Sequence, residues 1–193
     1  MSVKDFVQHR RDALIAMRRD FHMYPEPAWL EYRSAAKVAD TLISLGYDVA
    51  LGADVLDLES RMGLPSDEVM KAAMDRAIKE GANPELVEKM GYGKTAIVAT
   101  MKFGGEGPVV AFRVDMDSND VIEAKDDNHV PAKGGFRSCH DKAMHACGHD
   151  AHMTMGLGLA EYLATHKDEF KGTIKLIFQP AEEGVREIGR AHV

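Results

Sequence analysis

Apolar residues recur at helical spacing from Val3 to about His22, where Phe6, Val7, Leu14, Met17 and Phe21 share a face before Pro25 and Pro27 stop the run. The pattern predicts an amphipathic opening helix. A second periodic stretch, about Glu31 to Leu45, gathers Ala35, Val38, Ala39, Leu42 and Leu45 and meets Gly46 as a C-terminal stop. It leads into a strand near Tyr47 to Leu51. The charge-rich stretch from Arg61 to Met90 reads as two short helices, one after Pro65 and one after Asn83-Pro84, forming a surface insertion.

Thr95 to Met101 and Val109 to Val114 are β-rich runs separated by Gly104-Gly105-Glu106-Gly107-Pro108, turn chemistry suited to an antiparallel hairpin. Asp150 is the expected N-cap of a helix reaching about His166, with Met153, Leu157, Ala160 and Ala164 as its apolar stripe. Thr173 to Phe178 follows as a buried strand. Strand, helix and strand in that order imply a right-handed crossover, so the expected class is α/β, a mainly parallel central sheet with flanking helices. In such sheets ligands gather at strand ends and loops.

Composition narrows the classes of function. With 45% hydrophobic and 28% charged residues over 193 positions, the chain can build one good-sized core. A formal net charge of -7 argues against nucleic acid as a partner and favours a small-molecule substrate. Charged residues from Lys4 to Arg19 interrupt any apolar leader or membrane-spanning run, and two cysteines, Cys139 and Cys147, do not form a secreted disulfide framework. A reducing cytoplasm is the expected compartment.

The chemistry concentrates in Met144-His145-Ala146-Cys147-Gly148-His149-Asp150-Ala151-His152 and in Phe178-Gln179-Pro180-Ala181-Glu182-Glu183-Gly184. Cys147 and His149 lie two apart, which on extended backbone puts thiolate and imidazole on one side, fit to share a cation. Adjacent Glu182 and Glu183 point differently, so one can bind metal while the other handles protons. Each piece also has an ordinary reading: an isolated Cys-x-His is more often a buried cysteine beside a structural histidine, and an isolated glutamate pair is more often solvated. His145 and His152 flank the ligands as pocket residues, Asp115 is a candidate to orient a ligating histidine, and Asp117 fits a turn or cap equally well. Arg113 is expected to pair with one of these aspartates. Met153 and Met155 read as core packing, and His9, His129, His140 and His166 as surface residues.

Taken in order, Arg18-Arg19-Asp20-Phe21-His22 with Pro25-Glu26, Phe112 to Asp117, His145 to His152 and Phe178 to Gly184 resemble the M20 peptidase family, in the branch of aminoacylases, hippurate hydrolases and auxin-conjugate hydrolases. Within that branch, Glu59 to Pro65 and Gly135-Phe136-Arg137-Ser138-Cys139 resemble the aminobenzoyl-glutamate hydrolases most. The resemblance implies a metal-dependent amidohydrolase acting on N-acyl amino acids such as p-aminobenzoyl-glutamate, at a site of two divalent ions, manganese or zinc. It matches Cys147, His149 and Glu183 to metal ligands and Glu182 to the general base acting on a metal-activated water.

The resemblance also implies more than these residues supply: further histidine ligands, a lid and dimerisation domain, and a homodimeric or hetero-oligomeric assembly. The segment 1–193 is therefore expected to be the N-terminal portion of the catalytic domain, with an unfinished sheet edge. The last residues, Arg186 to Val193, depart from the family pattern, and His192 is not a candidate for a missing ligand. Two other readings stay open. One is a cysteine hydrolase using Cys147 with a histidine base; the other is an incomplete fragment acting as a metal-binding or subunit-interaction module.

Overall fold

A computed structural model describes residues 1–183; Gly184 and the closing residues Arg186 to Val193 lie outside the described part. The helices are α1 (Val3–Met23), α2 (Tyr32–Ser44), α3 (Asp67–Lys79), α4 (Pro84–Lys89), α5 (Val130–Lys133) and α6 (His149–Thr165), and the strands are β1 (Asp48–Leu51), β2 (Ile97–Lys102), β3 (Val109–Asp115) and β4 (Thr173–Gln179). Ser2 and Ser66 open α1 and α3 as expected of N-caps, accepting from the amides of Asp5 and Val69.

The strands form one sheet in the order β1-β2-β4-β3. The α/β class holds, with one correction: β1 with β2 and β2 with β4 run antiparallel, and the parallel pairing is β3 with β4, so the sheet is mixed. The expected hairpin of β2 with β3 does not form, because β4 slots between them. Glycine makes that possible: Gly172 has φ +84, and a side chain there would sit 2.4 Å from the Pro108 carbonyl oxygen. Thr173 N–H then donates to that same carbonyl at 3.0 Å and Phe103 N–H to the Gly172 carbonyl at 2.8 Å, seating β4 against both neighbours. Strand β3, helix α6 and strand β4 follow one another in the expected order, with β3 and β4 parallel.

Alternation along the strands splits the core in two. Ile97, Ala99 and Met101 of β2 with Ile174, Leu176 and Phe178 of β4 face the helices, where Leu42, Met153, Leu157 and Ala160 complete the main cluster. Ala96, Val98 and Ile177 face the other way, onto Ala28, Trp29, Val55 and Leu56. The two helices of the 61–90 stretch form, and Ala73, Ala77, Leu86, Val87 and Met90 belong to the main cluster. On α6, Met153 is buried as expected, whereas Met155 is 63% exposed and packs no core. No helix among the described residues is long and apolar enough to cross a membrane.

Asp150 is not the N-cap of α6. Gly148 holds that position in a left-handed conformation, φ 112, and Asp150 is drawn inside the helix, where tertiary partners outcompete a local cap. Its carboxylate lies 2.7 Å from His22 Nδ1 and 3.0 Å from Arg18 Nε.

Candidate metal centre

The parallel strands β3 and β4 end side by side, Asp115 opposite Gln179. Beyond those ends the chain carries Asp117 on one side and the turn Ala181-Glu182-Glu183 on the other, and α6 begins beside them with His149. Sγ of Cys147, a ring nitrogen of His149 and a carboxylate oxygen of Glu183 come within 4.8 Å of one another, so the structure brings these three expected ligands together. Glu182 stands next to them, its Oε2 3.7 Å from His149 Nε2, and its side chain is 38% exposed against 24% for Glu183. Glu182 is thus the more open of the two carboxylates.

The donor set fits a divalent cation. Glu183 Oε1 is buried without a hydrogen bond among the described residues, a cost of about 1–3 kcal/mol for a polar atom left unpaired. Nδ1 of His149 lies 2.8 Å from the Asp117 carbonyl oxygen, an acceptor only, so Nδ1 carries the proton and Nε2 is free to ligate. Burial alone would lower the His149 pKa, but the carboxylate and carbonyl of Asp117 outweigh it and raise it to about 9. The Glu183 carboxylate beside Cys147, helped by burial and by Glu182 and Asp115, pushes that thiol up. The thiol and the imidazole thus hold protons that a cation would displace.

Asp117, legible in the sequence only as a turn or cap, organises the centre. Its Oδ1 accepts from Glu182 N–H at 3.1 Å and its Oδ2 from Glu183 N–H at 2.9 Å. One residue therefore sets both the imidazole and the glutamate turn. Asp117 takes the task expected of Asp115, while Asp115, whose carboxylate lies within 4.8 Å of ring nitrogens of His149 and His152, has Oδ1 3.1 Å from Arg113 Nε and Oδ2 3.5 Å from His152 Nδ1. His152 is half exposed and stacks on His149, ring centroids 5.2 Å apart.

A second carboxylate, to which no motif in the sequence points, secures the turn from beneath. Glu31 is fully buried; its Oε1 accepts from Trp29 N–H at 3.0 Å and Ala181 N–H at 2.9 Å, and its Oε2 accepts from the Thr95 hydroxyl at 2.7 Å. Trp29 and Ala181 are both at positive φ, 66 and 55, so Glu31 holds two strained backbone positions together. Burial and the nearby Asp117 charge raise its pKa.

His22, whose role was not legible, lies between two buried carboxylates, Nδ1 2.7 Å from Asp150 Oδ2 and Nε2 2.9 Å from Glu123 Oε1. Glu26, its neighbour in the opening motif, accepts the first amides of α2, Arg33 N–H and Ser34 N–H. His145 is buried with no hydrogen bond at either ring nitrogen among the described residues, and burial pushes its pKa down to about 4, so it is a neutral ring beside the ligands. Three histidines expected at the surface are half-buried: His129 reaches Glu123, His140 reaches Glu80, and His166 stacks on Tyr162.

Residues 111–193, which contain all four site residues, match the family model described as Peptidase family M20/M25/M40. One of the subunits of the p-aminobenzoyl-glutamate hydrolase of Escherichia coli is 48% identical over 185 residues, which are 96% of this chain and 42% of that protein. The crystal structure of an aminobenzoyl-glutamate utilization protein from Klebsiella pneumoniae superposes with a TM-score of 0.80 at 39% identity, covering 99% of this chain and 41% of that one. A dinuclear metal-binding peptidase of the M20 family from Bacillus subtilis superposes at 0.60 with 29% identity, covering 93% and 36%. The chain thus spans about two-fifths of the length of these relatives. By these matches residues 111–193 belong to a domain of Peptidase family M20/M25/M40, and the chain as a whole is similar to relatives of that kind.

Proposed function

We propose that this chain supplies the first ligands and the general base of a two-metal amidohydrolase acting on N-acyl amino acids, with p-aminobenzoyl-glutamate the first substrate to try. The observation that carries the reading is the convergence of Cys147, His149 and Glu183 within 4.8 Å, with Glu182 against His149. Cys147, His149 and Glu183 would hold a manganese or zinc ion, which when bound supplies polarisation of the amide carbonyl and acidification of water. The chain's own part is distinct: Asp117 fixes the imidazole and the glutamate turn, and Glu182, at the open side, takes a proton from water and returns it to the leaving amine. A cysteine nucleophile fits poorly, since the Cys147 thiol is held protonated by the carboxylates around it. The unpaired cysteines suit a reducing cytoplasm.

Hydrolysis of p-aminobenzoyl-glutamate by the chain loaded with Mn2+ or Zn2+ tests this. Glu182→Ala should lower turnover by roughly 10²–10⁴-fold while metal content stays, and Glu183→Ala should lose metal. Full activity in Glu182→Ala would overturn the assignment of the base. A second reading rests on the two-fifths coverage of the relatives: a metal-binding or subunit-interaction module that works within a homodimer or hetero-oligomer. Stable metal binding with no turnover by the chain alone, restored by a partner chain, favours it.

A further inference from the structure

The proposed centre leaves Cys139-His140 unused. Sγ of Cys139, a His140 ring nitrogen and a Glu80 carboxylate oxygen also lie within 4.8 Å of one another. Glu80 is the C-cap of α3, and the other two sit on the loop after α5, so the cluster joins elements far apart in the chain. His140 Nδ1 lies 2.7 Å from the Pro25 carbonyl oxygen and Nε2 lies 2.8 Å from Glu80 Oε1. A carbonyl only accepts, so Nδ1 carries a proton. Nε2 then confronts a Glu80 oxygen, and the contact needs a proton, on the ring or on the carboxyl, or a metal ion in its place.

Three observations favour the metal. A thiol belongs to the same cluster, which a plain imidazolium–carboxylate pair does not need. Glu80 Oε2 is buried without a hydrogen bond among the described residues. The Nδ1 proton is fixed by a backbone carbonyl, the arrangement that orients ligating histidines. Ligand atoms around a tetrahedral zinc ion stand roughly 3.3–3.6 Å apart, so shifts of about an ångström would complete the geometry. Burial and the Glu80 charge push the Cys139 thiol up, so the metal-free site keeps that proton, while Arg33 and Arg76 nearby ease its loss.

We propose that Glu80, Cys139 and His140 form a second metal site, taking Zn2+ with one position left to water. Its occupation would pin the loop to α3, and through Ser138, whose N–H donates to Glu123, it would brace the His22–Asp150 contact at the start of α6.

The test is alkylation of the whole chain by a maleimide with and without Zn2+, each cysteine followed separately by peptide mass spectrometry. Zn2+ should slow the reaction of Cys139 at least about tenfold, and His140→Ala should abolish that protection while leaving Cys147 protected. Should His140→Ala not fold, Glu80→Gln serves in its place, since it keeps the shape and removes the charge. Equal Cys139 rates with and without Zn2+ would overturn the site and leave a proton-bridged ion pair. The Cys147 rate, read in the same experiment, reports on the main centre independently.

Discussion

His22 shows what a single side chain contributes. Burial works against its charge, but hydrogen bonds to Asp150 and Glu123 outweigh it and raise the imidazole pKa above 6.5. The folded state therefore binds more protons than the unfolded chain, and stability from this contact is complete below about pH 6.5 and fades as pH rises through the raised value. We expect His22→Gln to lose stability most at pH 6 and progressively less above it, measured as the urea midpoint across pH 6–9; a loss that does not change with pH would show that the ring is neutral. Contacts between Cys147 and His149 were readable from their spacing of two, and the resemblance added Glu183, which the structure brings beside them. The roles of Asp117, Glu31 and Glu123 were not, because their partners lie 65, 150 and 101 residues away. The alternation of Asp115, Met116 and Asp117 hinted at a shared face, but only the fold decides which carboxylate meets His149.

At the scale of elements, α6 approaches the sheet through a glycine. A Cβ on Gly156 would stand 2.9 Å from Val114 Cγ2 and 3.1 Å from Phe178 Cζ, closer than carbon atoms pack. Alanine gains about 1 kcal/mol over glycine in a helix interior, yet overpacking typically costs about 1–3 kcal/mol. Gly156→Ala should therefore be neutral to destabilising by up to about 2 kcal/mol in urea unfolding, whereas Gly156→Leu should unfold the chain. A stabilised Gly156→Ala would mean that helix and sheet can part without cost. Helix positions were legible to within a residue or two because 3.6-residue periodicity is a local signal. Strand pairing was not: glycines and a proline between β2 and β3 look like a hairpin turn, and nothing nearby reveals that β4, some sixty residues on, takes the place between them.

At the scale of the whole molecule, β3 is the outer strand of the sheet, and Val109, Val110 and Phe112 on it are exposed at 66%, 42% and 45%. An open edge carrying apolar side chains invites association. Light scattering of the purified chain should show mass rising with concentration, and Val110→Lys with Phe112→Lys should suppress it without altering metal content; an unsubstituted chain that stays monomeric would refute this. The opposite end of the sheet is ordered differently. The turn bearing Glu182 and Glu183 is gripped from two directions, by Glu31 near the start of the chain and by Asp117 beyond β3. Such a site is rigid in advance. An arriving ion meets oriented donors, so selectivity among cations will follow from how readily each sheds its hydration shell and suits a sulfur–nitrogen–oxygen set, with little entropy lost in arranging the polypeptide around it.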